Sequence, residues 1–284
     1  MTQLSPLRSK PRLSMEAAPP DARRPLHHQL LRPPARLLAL LCTLVLLTVC
    51  YCGPLSDAAT AVVATRKELP VYSVQRDDNA ISVSFDASWG GDKTIAILDI
   101  LDQYNAKATF FLVGIWVEKF PDLVKEIAAR GHEVENHSAS HPHMTKISES
   151  KMREELRLCS DQIEALTGVR PTLFRPPYGD YNNKVVTVSR DEGYEIVQWS
   201  IDSLDWKNYG VQDMVTKATR NVQPGDIVLF HNDSQYIVEA LPAILSYYQQ
   251  QGLSMIPVGD LLLPGKTTID VQGKQHPAPD ASAP

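Results

Sequence analysis

The chain has 284 residues, of which 43% are hydrophobic and 21% charged, and its formal net charge is -5 at pH 7. This composition is sufficient for one sizeable core, and it excludes a collagen-like, a largely disordered or a polytopic membrane protein. Nucleic-acid binding is not expected, because the chain beyond residue 50 is acidic and offers no basic face.

The N-terminal region reads as a membrane-entry signal. Residues 37–52, LLALLCTLVLLTVCYC, are uncharged and follow a basic, Pro-rich segment over residues 1–36. As a helix this run is about 24 Å long, slightly short of a bilayer core of about 30 Å, so a signal peptide and a single-span anchor are both open. The basic flank predicts a cytoplasmic N-terminus and an extracytoplasmic remainder. We favour an uncleaved anchor in the cell membrane, with secretion if cleavage occurs at the A-x-A site of residues 59–61.

The remainder is predicted to form one domain over residues 79–263, between a linker at 53–78 and a disordered tail at 264–284. Cys159 is the only cysteine of this domain, which excludes a disulfide framework. Strand-like runs alternate with amphipathic helices, and this predicts a parallel sheet buried on both faces. The predicted strands are ISVSF from Ile81, TFFLVG from Thr109, EVEN from Glu133, TLF from Thr172, EIVQWS from Glu195, DIVLFH from Asp226 and SMIPV from Ser254.

The predicted helices cover residues 92–104, 121–130, 148–166, 182–192, 211–221 and 236–250. In the third of them, Ser148 is the expected N-cap, Gly168 follows the end, and Cys159 is expected to be a small buried hydrophobic residue. The alternation indicates an α/β fold, either a (β/α) barrel or a doubly wound sheet. Both place chemistry at the carboxyl ends of the strands.

Ionisable residues gather at those strand ends. They are Asp86 after the first strand, His137 and His141 after the third, Arg175 after the fourth, Asp202 and Asp205 after the fifth, and His231 after the sixth. Because these ends meet at one edge of the sheet, the side chains are expected around one mouth.

Three motifs suggest particular chemistry. His137 and His141, four residues apart, have the spacing of a paired-imidazole metal site, and Ser138 suits the turn between them. FRPPYG places Arg175 on a rigid loop, where a guanidinium can hold a carboxylate with two parallel hydrogen bonds. In QWSIDSLDWK, Trp206 suits stacking on a sugar ring, whereas Trp199 is expected in the core.

In this order, FDASWG, HSASH, FRPPYG, DSLDW and LFH resemble the five motifs of the NodB-homology polysaccharide deacetylases, carbohydrate esterase family four. The likeness covers residues 81–262. FDASWG and QWSIDSLDWK are similar in particular to the sporulation-type branch of spore-forming bacteria. The resemblance implies a distorted (β/α)7 barrel, in agreement with the predicted strands. It also implies removal of N-acetyl groups from a cell-wall glycan, peptidoglycan or a chitin-like oligomer, with release of acetate.

The resemblance implies a role in proton transfer for four residues. Asp86 is the general base that takes a proton from water, and Arg175 holds Asp86 in place. His231 protonates the departing amine, and Asp205 orients His231 and raises its basicity.

The resemblance assigns binding roles to five further residues. His137 and His141 hold a divalent metal, commonly zinc, that polarises the acetamide carbonyl. The backbone N–H of Tyr178 stabilises the oxyanion, and Leu229 and Trp206 line the acetyl pocket.

One position departs from the family pattern. The first motif of the family has two adjacent aspartates, a base and a metal ligand, whereas this chain has Ala87 at the second position. A methyl group binds no cation, and a catalytic zinc usually has three protein ligands and a water. Either Asp92 folds back to the site, or Asp86 becomes a ligand, or the protein is a weak or inactive glycan-binding pseudoenzyme. A hydrolase of the same fold that acts on a non-glycan amide is a further alternative.

Overall fold

A computed structural model describes residues 33–52 and 67–279 of the chain. Helix α1 (Pro33–Cys52) contains the apolar run and lies in a unit separate from the one that begins at Arg66. Within these residues, no helix combines the length and hydropathy that a membrane span requires. The role of residues 37–52 as anchor or signal peptide stays a prediction, and the cleavage site at residues 59–61 lies outside the described residues.

The unit from Arg66 onward is built on one large parallel sheet. Its strands are β2 (Ala80–Ala87), β3 (Ala108–Leu112), β4 (Glu133–Asn136), β5 (Leu173–Phe174), β6 (Glu195–Ile196), β7 (Ile201–Asp202), β8 (Ile227–His231) and β9 (Ser254–Met255). Seven of them follow one another in the order β6-β5-β4-β3-β2-β8-β7, and β9 pairs with the start of β2. The sheet curls into a distorted (β/α)7 barrel, as predicted.

Each predicted helix is present, with ends within two residues of the expected positions. The short helices α3 (Gly114–Lys119) and α9 (Val258–Leu261) were not predicted. In α5 (Glu149–Thr167) the Ser148 side chain accepts a hydrogen bond from the N–H of Lys151, and Gly168 ends the helix with φ 74°, so both predicted caps are confirmed. Cys159 is fully buried, as expected. The helices are α2 (Thr94–Gln103), α3 (Gly114–Lys119), α4 (Pro121–Ala129), α5 (Glu149–Thr167), α6 (Asn183–Asp191), α7 (Val211–Thr219), α8 (Ile237–Gln250) and α9 (Val258–Leu261).

Strand β2 lies in the interior of the strand order, and its carboxyl end positions the site. It pairs with β3 on one side and β8 on the other, and all of its residues are buried. Phe85 stacks on Phe110 with ring centroids 4.9 Å apart and lies in the main apolar core. Because side chains alternate along a strand, Ser84 and Asp86 lie on the other face.

The predicted fifth strand, EIVQWS, is wrong as a single strand. Its residues supply β6, and the chain then continues into β7 at the opposite end of the strand order. Between the two strands, Val197 pairs with Val71, and the N–H of Gln198 donates to the carbonyl of Val71 at 2.7 Å. The segment that precedes β2 therefore replaces a neighbouring strand at this point.

The predicted domain limits are too narrow within the described residues. Strands β1 (Ser73–Val74), β10 (Thr267–Ile269) and β11 (Lys274–Pro277) form a second, three-stranded sheet in the order β1-β11-β10. The predicted linker is thus structured at β1, and the predicted disordered tail is structured at β10 and β11. The polar, Pro-rich composition of these segments predicts disorder, but short strands from the two ends of the domain pair through their backbones, and such pairing requires few apolar residues.

Candidate active site

The carboxyl end of β2 holds a buried ion pair. Arg175 Nη1 donates to Asp86 Oδ1 at 2.8 Å, while Nη2 donates to Ser84 Oγ at 2.9 Å and to the carbonyl of Gln198 at 3.1 Å. The guanidinium is 0% exposed and lies 4.1 Å from the centroid of the Phe111 ring. The expected pair of parallel bonds to one carboxylate is wrong, because Nη2 is used by Ser84 and Gln198.

This surrounding keeps the Asp86 carboxylate ionised. Burial acts to raise its pKa, but the positive charge of Arg175, assisted by His137 and His231, outweighs burial and holds the pKa of Asp86 below its ordinary 3.8. An ionised, oriented carboxylate at the mouth of a cavity is suited to accept a proton.

The neighbouring strand β8 ends at His231, whose charge is opposite to that of Asp86. His231 pairs in register with Asp86 across the sheet. Asp205 Oδ1 lies 2.7 Å from His231 Nδ1, and Asp205 Oδ2 accepts the backbone N–H of His231 at 2.7 Å. Burial acts to lower the pKa of His231, but the hydrogen bond and charge of Asp205 raise it to about 9. With Nδ1 donating to Asp205, the other ring nitrogen, Nε2, can give a proton to a substrate.

The two predicted metal ligands are brought together after β4. The ring centroids of His137 and His141 are 5.0 Å apart. His137 Nδ1 lies 2.7 Å from the carbonyl of Arg175, which leaves Nε2 facing Asp86 Oδ2 at 3.5 Å. The tautomer of His137 is thus set by the same residue that holds Asp86.

The connection between these histidines, residues 137–141, is named the imidazole turn. Ser138 adopts φ 70°, its N–H donates to Asn136 Oδ1, and its Oγ accepts the N–H of His141. The buried carboxylate of Glu155 on α5 accepts both the N–H and the hydroxyl of Ser140, at 2.7 and 2.8 Å. The turn role predicted for Ser138 is confirmed.

The donor set does not fit a metal centre of the usual three protein ligands. Burial lowers the pKa of both histidines, that of His141 to about 4, so both rings are neutral and able to bind a cation. However, Ala87 lies in the apolar core, Asp92 is exposed, and Asp86 is bound by Arg175. Within residues 67–279, no group of three or more His, Cys, Asp or Glu side chains has metal-ligand geometry. No catalytic step is therefore assigned to a metal.

A cavity of about 810 Å³ opens at this edge of the barrel. Predicted residues that line it are Asp86, His141, Tyr178, Asp202, Trp206, Leu229 and His231. Tyr178 is 60% and Trp206 55% exposed, so both present aromatic surface to a ligand. His137, Arg175 and Asp205 are buried partners of the lining residues. The binding roles of Tyr178, Leu229 and Trp206 stay predictions.

Some residues of the site were missed by the sequence analysis. Trp199 packs against the core, as predicted, but it also lines the cavity, as does Trp89. Ser84 binds Arg175, and its position two residues before Asp86 on the same strand face was the available signal. Glu155 carried a weaker signal, an acidic residue beside the apolar face of a predicted helix.

A carboxylate paired with Arg175 and an imidazole paired with Asp205 lie on neighbouring strands and open to one aromatic-lined cavity, an arrangement suited to general acid and base chemistry. The family model for polysaccharide deacetylases matches residues 73–197. A peptidoglycan-N-acetylglucosamine deacetylase of Bacillus cereus is 36% identical over 207 residues, which cover 69% of this chain and 97% of that protein.

Solved structures of the same family also match this chain. A pseudoenzyme of carbohydrate esterase family four (CE4) from Bacillus anthracis matches with a TM-score of 0.66 and 30% identity, over 72% of this chain and 69% of its own. A mutant of that pseudoenzyme with restored enzymatic activity matches with a TM-score of 0.66 and 31% identity, over 72% of each chain. The chain belongs to the polysaccharide deacetylase family, carbohydrate esterase family four, whose activity is hydrolysis of carbon–nitrogen bonds. Its place in the sporulation-type branch stays a prediction.

Proposed function

We propose that this protein removes N-acetyl groups from the glycan of the cell wall, with N-acetylglucosamine of peptidoglycan as the first candidate substrate. The observation that carries the proposal is the placement of two charged pairs, Asp86 with Arg175 and His231 with Asp205: Asp86 and His231 lie in register on β2 and β8 and open into one cavity. Two titratable groups whose pKa values are moved apart are typical of an acid and base pair. The name of the Bacillus cereus relative supports the substrate class.

The first step uses the carboxylate. Asp86 accepts a proton from a water molecule as the water oxygen forms a bond to the acetamide carbonyl carbon. Arg175 binds Oδ1 of Asp86 and so fixes the direction of the other oxygen. We assign stabilisation of the resulting oxyanion to the backbone N–H of Tyr178.

The second step breaks the carbon–nitrogen bond. His231 Nε2 donates its proton to the sugar nitrogen, which leaves as an amine, and the carbonyl re-forms as acetic acid, which ionises to acetate. Asp205 holds the ring in place and stabilises its protonated form. Leu229 and Trp206 line the cavity where the acetyl methyl group would lie.

The test is acetate release by the full chain from N-acetylated peptidoglycan and from N-acetylchitooligosaccharides. Asp86→Asn and His231→Ala should each lower kcat/KM by at least about 100-fold, the usual contribution of one acid or base. Full rates in both variants would contradict the mechanism.

Matched controls come from the surface of the same domain. Asp78 pairs with Arg76 at 2.6 Å, and His276 Nε2 lies 2.8 Å from Asp270. Neither Asp78 nor His276 lines the cavity. Asp78→Asn and His276→Ala should therefore leave kcat/KM unchanged within about twofold.

One observation favours a second candidate, a glycan-binding pseudoenzyme. Ala87 occupies the position where the family has an acidic metal ligand, and its methyl group lies in the apolar core. Under this alternative, the wild-type chain binds oligosaccharides but releases no acetate with or without added zinc, and Ala87→Asp creates the activity. Acetate release by the wild type would reject it.

We further infer that the domain acts outside the cytoplasm, because the proposed substrate is there. The uncharged run at residues 37–52 behind a basic segment supports export. Protection of the domain from externally added protease in intact cells would contradict this location.

A further inference from the structure

A short segment at the edge of the cavity, residues 204–209, has an unusual backbone and is named the rim turn. Leu204 and Asn208 both have left-handed conformations, with φ 52° and 54°. Such a conformation is rare for a bulky residue and persists only where the surroundings enforce it. Here Asp202 Oδ1 accepts the N–H of Leu204 at 2.8 Å, and Asn208 Oδ1 accepts the N–H of Gln235 at 3.3 Å. The rim turn is thus fixed at both ends.

The rim turn presents two aromatic side chains and a cation to solvent. Trp206 is 55% and Tyr209 66% exposed. Lys207 Nζ lies 5.1 Å from the centroid of the Trp206 ring and 5.9 Å from that of Tyr209. Among the described residues, Lys207 has no carboxylate partner within ion-pair distance. An exposed ammonium within about 6 Å of two aromatic rings and without a carboxylate partner in residues 67–279 is available to an anionic ligand.

The charges inside the cavity are arranged differently. Carboxylates of Asp86, Asp202 and Asp233 line it, together with Lys93 and with the protonated His231, whose charge is paired with Asp205. The ammonium of Lys93 already donates to the backbone carbonyls of Asp233 and Ser234, at 3.0 and 2.8 Å. An acidic group on a substrate is therefore better accommodated at the rim turn than beside Asp86.

We propose that the rim turn is a subsite for a sugar that carries a carboxylate, next to the sugar that is deacetylated. Tyr209, which lies outside the cavity beside Trp206, contacts the apolar face of this neighbouring pyranose ring, and Lys207 binds its carboxylate. This inference rests on the proposed function and narrows it. It favours a glycan in which the neighbouring sugar bears a lactyl carboxylate, as in peptidoglycan, over a neutral chitin-like chain.

The experiment measures binding of the full chain to three tetrasaccharides by calorimetry. The first alternates N-acetylglucosamine with N-acetylmuramic acid, the second is the same molecule with its lactyl carboxylates amidated, and the third is neutral N-acetylchitotetraose. Lys207→Ala should weaken binding of the first by about three- to fivefold, and Lys207→Glu by about tenfold. Binding of the amidated and the neutral tetrasaccharide should change by less than about twofold.

Two further variants separate charge from packing. Lys207→Arg keeps the positive charge and should retain wild-type affinity for the carboxylate-bearing tetrasaccharide. Tyr209→Ala should weaken binding of all three tetrasaccharides. The matched control is Lys119→Glu, because Lys119 also lies over an aromatic ring, Phe120 at 5.1 Å. Neither Lys119 nor Phe120 lines the cavity, whereas Lys207 lies between two residues that do, Trp206 and Asn208. Lys119→Glu should change none of the affinities.

An equal loss of affinity for all three tetrasaccharides in Lys207→Ala, no loss for any, or no binding by the wild type would overturn the inference. Acetate release is measured in parallel. Absence of acetate together with selective binding would reject the proposed hydrolysis and retain the subsite, whereas acetate release without charge selectivity would do the reverse.

Discussion

The site has two halves, the charged pairs around Asp86 and His231 and the imidazole turn with its two histidines, and they are not equally complete. Around Asp86 and His231, each charged group has a buried partner of opposite charge at 2.7 or 2.8 Å. Both halves contain a buried nitrogen without a hydrogen-bond partner in the described part of the chain, Nε of Arg175 in the first and Nδ1 of His141 in the second. They differ in another respect: the first half is complete, since its acid and its base each have a charged partner, whereas the second offers two imidazoles and, within residues 67–279, no third carboxylate ligand. Proton transfer and cation binding are therefore separable in this fold.

The largest expected effect comes from removing the cation of the complete half. Arg175→Ala leaves the Asp86 carboxylate buried without a partner and should lower the free energy of unfolding by about 3–5 kcal/mol. Urea denaturation followed by circular dichroism measures it. The control is Arg190→Ala, because Arg190 pairs with Glu68 at the surface and should contribute less than about 1 kcal/mol. Equal losses would show that burial of the first pair is unimportant.

The incomplete half is probed by supplying the missing carboxylate. In the structure the Ala87 methyl group faces the apolar core, but the family pattern has a metal ligand at this position. If an aspartate there turns toward the two neutral imidazoles as in the family, Ala87→Asp should raise zinc affinity by at least about 100-fold; a loss of stability without tighter zinc binding would show that it stays in the core. Calorimetric titration of the full chain with zinc measures the change. Ser88→Asp is the matched control, since Ser88 is adjacent and lines the cavity. If both variants bind zinc equally well, added charge rather than a ligand position explains the gain.

The pH dependence of the complete half follows from His231. Its folded pKa of about 9 lies above the ordinary 6.5, so the acid is protonated at neutral pH, and kcat/KM should fall as pH rises through about 9. The stabilisation from the His231–Asp205 pair is likewise full below pH 6.5 and lost between about 6.5 and 9.

Asp205→Asn tests the cause. It should lower the pKa of His231 by at least about one unit, since it removes the carboxylate hydrogen bond. Asp202→Asn should shift the pKa of His231 less, because Asp202 makes the smallest of the acidic contributions. NMR titration of the His231 ring reads both values even in an inactive protein, and equal shifts would contradict the assigned role of Asp205.

The smallest expected effect concerns how the imidazole turn is held. Glu155→Gln weakens the paired hydrogen bonds to Ser140 and should lower the free energy of unfolding by about 1 kcal/mol. Glu154→Gln is the control. The carboxylate of Glu154, the preceding residue, is 48% exposed, so this substitution should have no measurable effect on the free energy of unfolding. A chemical shift change at His141 in Glu155→Gln alone would link the loss of stability to the turn.

The sequence was sufficient for much of this architecture. Helix limits, the capping of α5 and the gathering of charged residues at strand ends depend on local pattern and on one rule of parallel sheets. The contact of Arg175 with Asp86 was also expected, from the ordered motifs.

Other features depend on partners that are distant in the chain. The break between β6 and β7 arises because Val71 pairs with Val197, and no local pattern reports that contact. The hairpin of β10 and β11 is stabilised by β1 from the other end of the domain. The two hydrogen bonds of Arg175 Nη2, to Ser84 and to the carbonyl of Gln198, are visible only in the three-dimensional structure.

The burial of Arg175 has a consequence for how this protein can change by mutation. Loss of Asp86 leaves an unpaired cation in the middle of the barrel, so folding alone is sufficient to retain Asp86 even in a lineage that no longer hydrolyses glycan. An alanine at position 87, where the family has an aspartate, places a methyl group in an apolar core and leaves no buried charge unpaired. His231, whose side chain is 27% exposed, has a weaker structural constraint than Asp86. Among descendants of this chain, the fate of His231 is therefore a better record of selection for catalysis than the survival of Asp86.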